Sequence, residues 1–174
     1  MKSPLFAVLV AGCAPSPADS DVGETDPNPT VEVTAETFGC ITDMEPVRNY
    51  YATNLLGNIA ETLEVAEDPS GKRFPAGTLI QLVPMEAMVK REAGFAAETD
   101  DWEFFFLSYS DGQTTIETRG ADATNSFGDN CASCHAAVSD TRDWTCEDGN
   151  GCVDLNLTPE VIQALQQNDA RCDE

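Results

Sequence analysis

Apolar residues recur at Val47, Tyr51, Leu55, Ile59 and Leu63, four positions apart, between Met44 and Ala66. Such spacing predicts an amphipathic helix, weakened in its middle by Gly57. The opening VRNYYATN also fits a strand, and periodicity alone does not choose. Beyond the turn-like EDPSGKRFPAG, the run from Thr78 to Val83 is short, rich in β-formers and closed by Pro84, which predicts a strand. DWEFFFLSYS and TTIETRG flank Asp111-Gly112, a turn pair that predicts a β-hairpin. Alternation in the first of these puts Trp102, Phe104 and Phe106 on one face and Phe105, Leu107 and Tyr109 on the other, so both faces should be covered. Thr158 followed by Pro159 is the N-cap and first-turn signature of a helix reaching about Gln167. The elements add up to an α+β fold, mainly an antiparallel β-sheet with a few helices.

The first residues, MKSPLFAVLVAGCAPSP, join a basic Lys2 to an apolar run from Leu5 to Ala11 that is too short to span a bilayer. Val10-Ala11-Gly12-Cys13 resembles a bacterial lipobox. Residues 1–12 are therefore expected to be a lipoprotein signal peptide and Cys13 the lipidated residue, with the membrane engaged through that anchor alone. Ala14 leaves no aspartate at the inner-membrane retention position, which favours the periplasmic face of the outer membrane. Residues 13–37 are acidic, rich in Pro, Ser and Thr and nearly free of aromatics, the composition of a disordered tether. A folded domain is expected over 38–174, one domain in all.

A net charge of −22 with only nine Lys and Arg among 174 residues argues against nucleic acid as a partner, since phosphate contacts need clustered cations. The acidic surface suits solubility, or a basic redox partner protein. Export also changes how the cysteines read, because free thiols are unusual in an oxidising compartment. With Cys131 and Cys134 set aside, Cys40, Cys146, Cys152 and Cys172 allow three pairings. The short loop CEDGNGC suggests Cys146 with Cys152, leaving Cys40 with Cys172 as a clamp between the domain's ends.

Cys131-Ala132-Ser133-Cys134-His135 contains the only histidine of the chain. It fits the c-type haem attachment pattern, in which two thiols bond the two vinyl groups and the next imidazole sits under the iron. One covalently attached haem c, with His135 as its axial ligand, accounts for all three residues. A zinc site of Cys131, Cys134, Cys146 and Cys152 leaves the histidine unexplained and needs reduced thiols. A redox dithiol expects a βαβ context that is missing. A disulfide or buried thiols beside a surface histidine is the remaining reading. With no second histidine and no methionine after His135, the sixth iron position is expected to be open. Met44, Met85 and Met88 lie upstream and suit packing. An open position implies binding or chemistry of a small-molecule ligand; a closed one implies plain electron transfer.

From about Met44 to Cys146 the chain resembles the cytochrome P-460 and cytochrome c′-beta family, through EPVRNYY, FPAGTLI, MEAMVKREAGFAAETDDWEFF and CASCHAAVSDTRDW in that order. The resemblance implies a mostly antiparallel β fold holding one c haem, with His135 proximal and an open distal pocket. It also implies that Arg48 and Glu86 line that pocket as the catalytic pair of a P-460-type oxidoreductase acting on hydroxylamine, with Phe104 and Phe106 among the wall candidates. The family's haem-cross-linking lysine falls at Leu82, and the hairpin it places between that strand and the glutamate is missing; Lys90 aligns with a different, unlinked lysine. This departure brings the chain nearer the nitric-oxide-binding c′-beta type and leaves enzyme activity open.

Overall fold

The computed structural model describes residues 28–147 and 157–172. Among these the order is β1 (Glu45–Val47), β2 (Tyr50–Asn54), α1 (Ile59–Glu67), β3 (Thr78–Gln81), β4 (Glu86–Lys90), β5 (Trp102–Ser110), β6 (Gln113–Arg119), α2 (Cys131–His135), α3 (Ser139–Arg142) and α4 (Pro159–Gln167). The strands form one six-stranded sheet in sequence order, every neighbouring pair antiparallel. The α+β expectation therefore holds. None of the described helices is long and apolar enough to cross a membrane.

The helix expected from Met44 to Ala66 forms only in its second half. Residues 45–54 are β1 and β2, the alternative that VRNYYATN left open. The reason is arithmetic: a spacing of four is close to one helical turn but is also a multiple of the strand period of two. Tyr50, Ala52 and Asn54 are the buried alternate positions of β2. Asn54 then turns the chain into α1. Its side-chain oxygen accepts the N–H groups of Leu56 and Asn58 at 2.9 and 3.1 Å, and its amide donates to Thr62 Oγ1 and the Ala76 carbonyl at 3.0 and 3.1 Å.

The β5–β6 hairpin forms as expected, with Asp111 and Gly112 both at positive φ, 52° and 74°. Alternation along β5 sorts its aromatics as predicted. Trp102 and Phe104 enter one apolar layer with Ile80, Met88, Val65 of α1 and Trp144. Phe105 and Leu107 enter the other. Side chains of this size and burial contribute about 2–3 kcal/mol each to the core. Strand β4 carried no sequence signal; it pairs with β3 across the connection 82–85 and with β5 along its whole length.

The boundary at residue 38 needs correcting. Val31 and Val33 are 0 % and 7 % exposed and cover the second sheet face together with Phe38, so the folded domain reaches back into the expected tether at least to Val31. Composition averaged over the acidic stretch hides the period-two alternation of TVEVT, which suffices to bury two valines against a sheet. The expected signal peptide, the lipobox-like segment and the expected tether up to residue 27 lie outside the described residues.

At the opposite end of the chain, Thr158 caps α4 and Pro159 occupies its first turn, as expected. Buried Gln166 of α4 donates to the carbonyls of Asn49 and Leu82, both at 2.8 Å, tying the helix to the β1–β2 and β3–β4 turns. Cys40 and Cys172 are disulfide-bonded, the expected clamp. Cys146 is also disulfide-bonded; Cys152 lies outside the described residues.

Candidate cofactor site around Cys131, Cys134 and His135

The loop after β6 is pinned before the motif begins. The Cys131 N–H donates to the Ala123 carbonyl at 3.0 Å, and Asn130 caps α2 by accepting the Ser133 N–H at 2.7 Å while its amide donates to the Ala121 carbonyl at 2.8 Å. One helical turn then carries Cys131, Cys134 and His135, and positions three and four apart share a helix face. Cys131 and Ala132 pack against the first apolar layer. Both motif cysteines are half-buried free thiols.

His135 Nδ1 lies 2.6 Å from the Trp144 carbonyl. A carbonyl only accepts, so Nδ1 carries the proton and Nε2 keeps its lone pair. Burial pushes the imidazole below its ordinary pKa, against the opposing effect of that hydrogen bond, which keeps the ring neutral and able to ligate. The Phe104 ring stands 5.0 Å from the imidazole, centroid to centroid.

The carbonyl is aimed by an unusual backbone. Asp143 and Trp144 are consecutive non-glycine residues at positive φ, 46° and 66°, a conformation that costs free energy and persists only when its surroundings hold it. The Asp143 side chain, fully buried, accepts from Lys90 Nζ at 2.9 and 3.0 Å, from Arg73 Nη1 at 2.8 Å and from the Phe74 N–H at 2.8 Å. The Trp144 indole donates to Asp100 at 2.9 Å. On either side of this pair, Arg142 Nε and Thr145 Oγ1 are buried without a hydrogen-bond partner among the described residues. These residues were not singled out from sequence, although Asp143 and Trp144 stand in the TRDW that ends the last resembling block.

Glu86 opens β4 opposite Phe106. Burial lifts its carboxyl above the ordinary range despite a hydrogen bond from the Ser126 N–H. Burial, with the Glu86 charge adding to it, pushes the Cys131 thiol up to about 11. A thiol held neutral in this way is a poor redox nucleophile, which counts against the dithiol reading. The disulfide at Cys146 removes one thiolate from the zinc reading. Among the described residues no three His, Cys, Asp or Glu side chains gather as a metal site.

Arg48 occupies the β1–β2 turn at φ 52°. Its guanidinium pairs with Glu147, which also pairs with Arg142, and donates to the Ala66 carbonyl at 2.8 Å. Among the described residues Arg48 and Glu86 share no ion pair. Leu82 packs in the layer that holds Cys131 and Ala132. Met88 belongs to that same layer, Met44 to the opposite sheet face, and Met85 is half-buried in the 82–85 turn.

The chain matches no family model, no curated protein and no solved structure. A cleft of about 320 Å³ lies elsewhere, between the β1–β2 hairpin and α4, bordered by Arg48, Tyr50, Tyr51, Ile162 and Gln166.

Proposed function

We propose that this chain is a lipid-anchored c-type cytochrome of the bacterial cell envelope, with one haem and an exchangeable sixth position that takes small ligands such as nitric oxide. The observation that carries the reading is the joint state of the motif: two free thiols one turn apart beside an imidazole whose Nδ1 is committed to a carbonyl and whose Nε2 is left as a bare donor. The donor set fits the group. Cys131 and Cys134 would hold it, each S–H adding across one vinyl double bond to form a thioether, and His135 Nε2 would hold its iron. The orphaned Arg142 Nε and Thr145 Oγ1 are donors of the kind a haem's propionate carboxylates satisfy. When bound, the haem supplies an iron that exchanges single electrons and binds diatomic or hydroxylamine-like ligands.

The chain's own residues supply the rest. Phe104 packs its ring against the imidazole. Glu86, with its carboxyl biased toward the protonated form, is suited to hold a proton near the motif and to exchange it with an N-hydroxyl group. Arg48 belongs to the neighbouring cluster with Glu147, so the proton-handling role rests on Glu86 alone. Leu82 has no atom able to bond a porphyrin, which supports the nitric-oxide-binding c′-beta type over hydroxylamine oxidation. A second reading, a plain electron carrier with a closed sixth position, draws on Met88, the methionine that shares the apolar layer of Cys131.

The test is the absorption spectrum of the exported, full-length protein, with a pyridine haemochrome assay. The proposal expects one thioether-linked haem per chain, lost on Cys131→Ala/Cys134→Ala, and a large spectral change when the reduced form meets nitric oxide or carbon monoxide. A low-spin spectrum indifferent to both gases would favour the electron carrier. Absence of haem would end both readings.

A further inference from the structure

Lys90 and Asp143 are 53 residues apart and joined by a buried ion pair. Such a pair contributes little net stability compared with apolar residues of the same volume, yet breaking it is costly. Its placement therefore asks for an explanation beyond folding. The Asp143 carboxylate gathers Lys90 on β4 together with Arg73 and the Phe74 N–H from the α1–β3 connection. Lys90 Nζ donates further to the Asp100 carbonyl at 2.8 Å, and Asp100 takes the Trp144 indole N–H. Three separate segments thus clamp the two positive-φ residues, and what the clamp presents at its far side is the Trp144 carbonyl, 2.6 Å from His135 Nδ1.

We propose that Lys90 and Asp143 are positioning residues for the proximal imidazole, holding the Trp144 carbonyl as the outer partner that orients His135 and strengthens Nε2 as a donor. This rests on the reading of His135 as an iron ligand. An outer-shell acceptor on the remote nitrogen makes a ligating imidazole more basic and favours the more highly charged metal. The pair therefore lowers the reduction potential of the bound iron.

The exported full-length protein tests this through Asp143→Asn, which keeps an acceptor for the Phe74 N–H and a side chain at ease at positive φ but removes the charge that binds Lys90. At a fixed ambient potential its ferrous-to-ferric ratio should rise about tenfold, the lower end of what losing an outer-shell partner costs a metal site, and the iron–imidazole stretching band of the ferrous form should move to lower frequency. Lys90→Met should do the same and Lys90→Arg should restore both readouts; these two serve if Asp143→Asn does not accumulate. Glu103→Gln, which breaks the pairs of buried Glu103 with Arg91 and Arg119, is the comparison: it should lower thermal stability and leave potential and band unmoved. If the Asp143 and Lys90 variants behave like Glu103→Gln, the pair is only structural and the inference is overturned. A wild-type protein without haem would overturn it at a different point, by removing the ligand role of His135 itself.

Discussion

Single side chains here carry unusual amounts of local order. Gly77 sits at φ +86°, and a Cβ built on it would lie 2.9 Å from both Asn54 Oδ1 and Leu56 Cγ. It crowds the Asn54 hub that starts α1, so Gly77→Ala combines a disfavoured backbone with a collision. A loss of about 2–3 kcal/mol is expected in urea unfolding, within the range of strained-backbone substitutions; a change below a few tenths would show that the turn relaxes freely. Asp143 and Trp144 pose the same problem without glycine, and their solution is the set of donors around the buried Asp143 carboxylate.

The helices and turns differ in how much they owe to their own residues. The β5–β6 hairpin and α4 were legible because their determinants are local: Asp111-Gly112 for the turn, Thr158-Pro159 for the helix start. Strands β1 and β2 were not, since apolar positions four apart satisfy both periodicities. Strand β4 is flanked by Pro84 and charged residues and is recognisable only by what it pairs with. The docking of α4 uses the Gln166 amide beside the buried Ile162. Gln166→Leu would keep the volume but leave the Asn49 and Leu82 carbonyls without this donor, and should cost about 1–3 kcal/mol by chemical denaturation. Full retention of stability would mean that neighbouring donors or water take its place.

Across the described domain, the segments around residues 40 and 172 are held together by a disulfide and by hydrogen bonds. The Cys40–Cys172 bond closes a loop with a sequence separation of 132 residues. Replacing both with serine should lower stability by about 3–5 kcal/mol, as expected for the loss of a long-loop disulfide, and reduction of the wild type, which also opens the disulfide at Cys146, should lower it at least as far. Beside it, Asp169 binds Arg171 and accepts the Ile41 N–H at 2.9 Å. Burial opposes ionisation of Asp169, but the Arg171 hydrogen bond and the Ile41 and Arg171 N–H groups outweigh it and hold the carboxyl below its ordinary pKa. As pH falls, the unfolded chain takes up this proton first. The contribution of Asp169 is therefore complete above the ordinary carboxyl value of about 4 and is lost as pH drops through the lower folded value. Thermal midpoints followed from pH 6 down to about pH 2 should show a shallower acid limb in Asp169→Asn; an unchanged limb would remove this pair from the acid response.

The CASCH motif, the hairpin turn and the α4 cap could be read directly from residue order, because each rests on neighbours; the Cys40–Cys172 pairing was one of three that the order allows, suggested by the short CEDGNGC loop and decided by the fold. Which face of Val31 and Val33 is buried, which strand Lys90 joins and which carbonyl meets His135 depend on contacts between distant segments. Those are settled by the burial of apolar faces and by the need of each buried polar group for a partner, conditions that exist only once the chain has folded.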